Sequence, residues 1–207
     1  MPASEPWRGS RKAKAARTET ALKDAARRVF ARTGYLNAKI TDITAEAGRS
    51  AGSFYKHFTG KDDILRALLA DWPARAGQEP AADEAGGDLS GRPALRARVA
   101  AYWRTYKAHL PEIQALGQAA LVDPGFAARL AEIRRAGLET MRAHLQRLED
   151  EGHVLSGDPA VLASAFNALL EGFCATWSGG DPSGRTLTDA EAVDTLTDLL
   201  HHGLTRG

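Results

Sequence analysis

A short run between Gly48 and Gly60 concentrates the groups that could do chemistry: Arg49, Ser50, Ser53, Tyr55, Lys56 and His57, with Lys61 just beyond. Ala51 and Gly52 add small side chains that let a backbone approach a surface closely. Hydroxyls, cations and an imidazole on one short segment suit hydrogen bonding to base edges and phosphates rather than bond making. Elsewhere the reactive types are scattered. Cys174 is the only cysteine and lies on an apolar stretch, where a thiol is normally buried and inert. His201 and His202 are adjacent, so they do not share a helix face as paired metal ligands would. There is no nucleophile–base arrangement, no phosphate loop and no carboxylate–histidine metal pattern. The chain is therefore expected to be no enzyme and to need no cofactor or metal. An enzyme and a helical adaptor are the competing classes, and neither accounts for the uneven distribution of charge along the chain.

The chain has 207 residues, 43% of them hydrophobic and 26% charged, which suits one large globular domain or two small ones. The net charge of +1 hides a division. Residues 1–66 carry net +7 and residues 67–207 net −6. The basic part is expected to meet a polyanion. The N-terminus lacks the apolar core of a secretory signal, and no apolar run approaches the roughly 18–20 residues of a membrane span. With a single cysteine and no internal disulfide, these features lead to an expected cytoplasmic location.

Helical periodicity must position the polar run. Residues 1–17, with Arg8, Arg11, Lys12, Lys14 and Arg17, read as a flexible basic arm. Leu22, Ala25, Ala26, Val29 and Phe30 then mark one face of a helix closed by Gly34. Ile40, Ile43 and Ala47 mark a short helix ended by Gly48, and Ser50 can cap a second running to about Phe58. Two short helices joined at a glycine make a helix-turn-helix. Thr59-Gly60-Lys61-Asp62 reads as a capping box before Ile64, Leu65, Leu68 and Leu69. Residues 18–72 thus read as four helices holding a candidate DNA-binding motif, and the Pro/Gly-rich residues 73–92 as a linker or disordered loop.

Residues 93–207 read as entirely helical. Leu95, Val99, Tyr102, Trp103, Tyr106 and Leu110 form one stripe, and Pro111 opens a further helix. Asp123-Pro124 and Asp158-Pro159 are N-caps followed by proline at the first helical position. Thr188 and Glu191 make a capping box for the last helix. The fold class expected is all-α.

The stretch Asp42-Ile43-Thr44-Ala45-Glu46-Ala47-Gly48-Arg49-Ser50-Ala51-Gly52-Ser53-Phe54-Tyr55-Lys56-His57-Phe58-Thr59-Gly60-Lys61 resembles the DNA-binding domain of TetR-family (tetracycline-repressor-like) transcriptional regulators. The likeness covers roughly residues 18–70 and includes the preceding helix end, Val29-Phe30-Ala31-Arg32-Thr33-Gly34. It implies a recognition helix starting at Ser50, Ala51 and Gly52, with Ser53 facing base edges. Tyr55, Lys56 and His57 would contact DNA beside it, Tyr55 and His57 at phosphates. Lys61 would meet a phosphate at the start of the fourth helix. Two positions depart from the family pattern. Arg49 replaces an apolar residue and would contact a base or a phosphate. Lys39 replaces a hydroxyl cap, with Thr41 as a partial substitute; both join the expected DNA contacts.

The resemblance further implies a C-terminal domain that binds a small effector and forms a homodimer through the last two helices. Ala165, Ala168, Gly172 and Ala175 allow close helix approach there. Candidate effector-lining residues are Trp103, Tyr106, Gln118, Phe126, Met141, Phe166, Asn167, Phe173 and Trp177. The function implied is a ligand-responsive regulator, a repressor released from a palindromic operator by a small apolar or amphipathic molecule.

Overall fold

The computed structural model describes residues 6–71, 91–178 and 184–204. Among these residues there are α-helices and no strand. The order is α1 (Pro6–Thr33), α2 (Ile40–Glu46), α3 (Ala51–Phe54), α4 (Lys61–Ala70), α5 (Arg92–Ala108), α6 (Leu110–Ala120), α7 (Pro124–Asp150), α8 (Pro159–Ser178) and α9 (Asp189–Leu204). The chain divides into two compact units, Met1–Pro73 with Pro111–Ala127, and Ala74–Leu110 with Ala128–Gly207.

Two features differ from the sequence expectation. Residues 6–17 are not a separate flexible arm but the first turns of α1. Alanines and long basic side chains have high helix propensity, and residues 12–17 extend the helix with their side chains exposed. The segment Pro111–Ala127, expected in the second domain, packs with the first unit. The expected linker at 73–92 lies outside the described residues except for its end, where Gly91 caps α5 and Arg92 begins it.

In the first unit the apolar face of α1 (Leu22, Ala25, Ala26, Val29, Phe30) is buried with Ile43 of α2, Phe54 of α3 and Ile64, Leu65 and Leu68 of α4. Gly34 ends α1 at φ 74°, a left-handed geometry that a side chain would strain. The polar rim is paired: Arg28 and Arg32 of α1 meet Glu46 of α2 at 2.7 and 3.3 Å, and Lys23 meets Asp71 at 3.1 Å.

In the second unit α5 packs antiparallel on α9. Arg92 meets Asp198 and Arg96 meets Asp194 at 2.7 Å, while Lys107 meets Asp189 at 2.6 Å. The core comprises Leu95, Val99, Trp103, Met141, Leu145, Phe166, Leu170, Cys174 and Leu196. The aspartate caps form as expected: Asp123 Oδ1 accepts the N–H groups of Gly125 and Phe126, and Asp158 Oδ1 those of Ala160 and Val161. The Thr188 hydroxyl accepts the Glu191 N–H at 3.2 Å, and the Glu191 carboxylate accepts the Thr188 N–H at 2.9 Å.

Helix α8 is by length and composition alone apolar enough to cross a bilayer, yet only 22% of that window is buried within the chain. Its exposed residues are mostly small, Ala160, Ala165, Ala168, Gly172 and Ala175, with Val161, Ser164 and Thr176.

Candidate nucleic-acid interface

The polar run stands on an apolar base. Phe54 and Phe58 are buried, 5.7 Å apart between ring centroids, and anchor α3 and the turn after it to the core. Gly48, at φ 61°, reverses the chain after α2, and the Arg49 N–H donates to Thr44 O at 2.9 Å. Ser50 caps α3 by accepting the Ser53 N–H at 3.2 Å. The helix is shorter than the expected span to Phe58; regular α-geometry stops at Phe54.

On this base Arg49, Ser50, Ala51, Gly52, Tyr55 and Lys56 are exposed, and Ser53 and His57 half-buried. Tyr55 keeps 59% of its surface in solvent, a large aromatic group with a hydroxyl end, its ring edge-on to Phe54 at 5.5 Å. The Arg49 guanidinium reaches only the carbonyl of the adjacent Gly48, at 3.2 Å. Lys39 and Thr41 at the start of α2 are exposed as well. The expected loss of the cap at Lys39 is met by a different group: the Lys39 N–H donates to the Asp42 carboxylate at 3.2 Å. The chain thus assembles small, hydroxyl and cationic groups on a rigid support, the arrangement that lets side chains enter a groove while neighbours bond phosphates.

Lys61 behaves differently from the other candidates. Its ammonium donates to the carbonyls of Tyr35, Leu36 and Ala38 at 3.0, 3.1 and 3.5 Å and lies 4.7 Å from the Tyr35 ring centroid. It ties α4 to the turn after α1. The cap of α4 is also displaced by one residue from the expected box. Gly60 is the N-cap, and Asp63 rather than Asp62 accepts the Thr59 N–H, at 2.9 Å. Asp62 is taken by the Tyr35 hydroxyl. Burial first, then this bond to Asp62, pushes the Tyr35 phenol well above its usual range, so it remains a donor.

The effector candidates fall into two groups. Trp103, Tyr106, Met141, Phe166, Asn167, Phe173 and Trp177 belong to the second unit. Trp103 and Phe173 ring centroids are 6.0 Å apart, and Phe173 and Trp177 6.1 Å apart. Met141 and Phe166 are fully enclosed core residues. The Asn167 amide donates to Ala163 O at 2.9 Å on its own helix. Gln118 and Phe126 belong to the first unit. There Gln118 accepts the Leu36 N–H at 3.2 Å, and Phe126 packs on Tyr35 at 6.2 Å and under Arg66 at 4.4 Å.

The structure adds Tyr102, which sequence reasoning placed on the apolar stripe but left out of the lining. Tyr102 stacks one turn from Tyr106 at 6.2 Å. Glu171 pairs with Arg134 beside them. Desolvation, then the neighbouring Cys174 and Glu171, raises the Tyr102 phenol, and burial pushes the Cys174 thiol up to about 12. The i,i+4 spacing of Tyr102 and Tyr106 was the available signal. Glu112 was also missed; it meets Arg27 at 2.5 Å with only 2% of its side chain exposed.

Comparison with known proteins agrees with this geometry. Residues 22–68 match the family model described as bacterial regulatory proteins, tetR family. The chain is 27% identical over 191 residues to the HTH-type transcriptional repressor AcnR of Corynebacterium diphtheriae, covering 87% of this chain and 88% of that one. A transcriptional regulator from Saccharomonospora viridis, solved in complex with choline, superposes with a TM-score of 0.74 at 19% identity, covering 93% of this chain and 100% of that one. A TetR-like regulator from Rhodococcus sp. RHA1 does so with a TM-score of 0.70 at 22% identity, covering 90% and 94%.

Proposed function

From the match of residues 22–68 to the tetR family model and the likeness to a repressor over most of the chain, we propose that this chain is a tetR-family regulator, a dimeric, effector-responsive repressor that binds a palindromic operator. The observation that carries the DNA reading is the exposed Arg49–Lys56 run, rigidly supported on buried Phe54 and Phe58 within the residues that match the family model. Ser53 and Gly52 face base edges. Tyr55, Lys56, His57, Lys39 and Thr41 meet the backbone on either side. Arg49 joins the phosphate group of contacts, because it precedes α3 and stands nearer the groove wall than its floor. Lys61 contributes a phosphate contact only if its carbonyl ligands on the turn release it.

Dimerisation through α8 and α9 is supported by what these helices leave uncovered. Val161 is 65% and Leu199 57% exposed, and Ala165, Ala168, Gly172 and Ala175 are exposed with them. An apolar helix with most of its window in solvent is a stable surface only when another apolar surface covers it. Two helices from each protomer make a four-helix interface.

The effector reading rests on the aromatic groups of the second unit. Trp103, Tyr106, Phe173 and Trp177, with Tyr102 added, offer ring faces, and beside them stands the carboxylate of Glu171, which an effector cation would share with or take from Arg134. Such walls suit a small apolar or amphipathic molecule. Ring faces beside a carboxylate also suit an organic cation, and a regulator of the same fold holds choline. Choline and related quaternary amines therefore head the screen. Effector binding favours a conformation whose two DNA-binding heads no longer match the operator spacing, and by linkage DNA weakens effector binding by the same factor. The working compartment is the cytoplasm, where the chromosome lies.

The test is recovery of bound fragments from sheared chromosomal DNA. A small set sharing one inverted repeat supports the reading. Recovery in proportion to fragment length, without sequence preference, refutes it.

A further inference from the structure

The turn from Gly34 to Ala38 leads from α1 into α2. Buried Tyr35 anchors it through Asp62, Phe30 and Phe126, the Asn37 amide donates to Thr33 O at 3.1 Å, and three further contacts hold its backbone. Internally, the Ala38 N–H donates to Gly34 O at 3.2 Å. From α4, the Lys61 ammonium gathers the carbonyls of Tyr35, Leu36 and Ala38. From α6, Gln118 Oε1 accepts the Leu36 N–H at 3.2 Å, across 82 residues of sequence. The turn and Gln118 lie within one compact unit.

The fit between Gln118 and the turn is close. A Cβ added at Gly34 would lie 2.8 Å from Gln118 Oε1 and 3.1 Å from Nε2. A side chain at Gly34 would make the Gln118 amide shift, and the positive φ of 74° favours glycine independently. A neutral amide also suits the site chemically. Its oxygen supplies an acceptor for the Leu36 N–H.

The turn sets the position of the DNA-facing groups C-terminal to it. Ala38 is buried, and its neighbour Lys39 is the extended N-cap of α2 at φ −111° and ψ 152°. The side chains of Lys39 and Thr41 project from that point, and α2 carries the recognition segment behind it. A turn free to change shape would place these groups in several positions, of which one fits a duplex.

We propose that Gln118 is a positioning residue for DNA recognition: its amide fixes the 34–38 turn and through it the start of α2. This rests on the DNA-binding reading of the Arg49–Lys56 run. It moves Gln118 from the effector wall, where its residue type and position along the chain had put it, to the DNA-binding head. Losing the amide acts by reducing the fraction of molecules in the binding-competent shape, so affinity falls by that fraction.

The experiment uses the full chain and two duplexes, one enriched by the wild type from a random-sequence pool and one a scrambled version. Wild type, Gln118→Leu and Gln118→Glu are titrated at a temperature where circular dichroism shows each folded. Gln118→Leu keeps the volume and removes the acceptor. It is expected to lose about three- to tenfold on the enriched duplex, the range of one net hydrogen bond, and less on the scrambled one. The specificity ratio therefore falls while the salt slope stays at the wild-type value. Gln118→Glu retains an acceptor for Leu36 and is expected to stay within about twofold of wild type. If Gln118→Leu does not fold, Gln118→Asn, one methylene too short to reach Leu36, carries the same expectation. Wild-type affinity and specificity in the acceptor-less variant overturn the proposal. So does an equal loss on both duplexes that tracks the unfolded fraction, which marks a purely structural residue. Failure of the wild type to enrich any sequence overturns the DNA-binding reading and this proposal together; the first two outcomes leave that reading intact.

Discussion

Two side chains in the DNA-binding unit set its internal electrostatics. Glu112 is almost wholly enclosed against Arg27, and its second oxygen, like Arg27 Nη2, has no hydrogen-bond partner among the described residues. Removing one member of such a pair strands the other. Glu112→Ala is expected to lower unfolding free energy by about 3–5 kcal/mol, read from denaturant titration. Replacing both members by leucine and methionine should cost far less, and an equal cost would mean the pair is a net source of stability. Lys61 gives a second test at this scale. Its ammonium is held by backbone carbonyls, so Lys61→Ala should reduce melting temperature and leave the salt slope of DNA binding unchanged. A slope lower by about 0.9, the value for one lost phosphate contact, would restore the role its sequence position implied. The support of the proposed contacts at 49–57 was legible in the sequence, because Phe54 and Phe58 lie within the same short run. The contacts of Glu112 and Gln118 were not, because their partners, Arg27 and Leu36, are more than 80 residues away.

At the scale of elements, periodicity located the helices and capping chemistry located their starts. Where the caps slipped, the cause was tertiary. Asp62 is drawn to the Tyr35 hydroxyl, so Asp63 takes the capping role. Periodicity alone cannot separate a helix's two apolar faces. Leu196 looks like an interface position by spacing, yet it is fully buried, while Val161 and Leu199 are exposed. A charge at Leu196 would therefore unfold the protomer rather than separate two of them. Leu199→Glu is the appropriate probe. Sedimentation should show a dimer in wild type at micromolar concentration and a monomer in the variant, with the helical signal retained; a wild-type monomer contradicts the interface. Helix α8 also predicts an alkaline weakness. The buried Cys174 thiol titrates at about 12 in the fold against an ordinary 9.0. A raised folded value stabilises fully below the unfolded value and is lost as pH climbs through the folded one. Stability should fall from about pH 9 towards pH 12, by up to about 1.4 kcal/mol per pH unit for this thiol. The fall should be shallower in Cys174→Ala, and an identical pH profile in that variant would remove the thiol as a cause.

For the whole molecule, the opposite charges of the two parts of the chain lead to the expectation of a DNA-binding head and a helical remainder. The boundary itself escaped the sequence. Pro111–Ala127 reads as an ordinary continuation of the second part, and only packing reveals that it completes the first unit. The central claim is that two such heads in a dimer read one inverted repeat through Ser50–His57. The most direct measurement is a hydroxyl-radical footprint of the purified protein on the fragment it enriches. Two protected half-sites related by a dyad are predicted, on one face of the duplex, with centres about one helical turn of 10–10.5 base pairs apart or a multiple of it. Uniform protection along the fragment, or one asymmetric site bound as tightly as the pair, would contradict it.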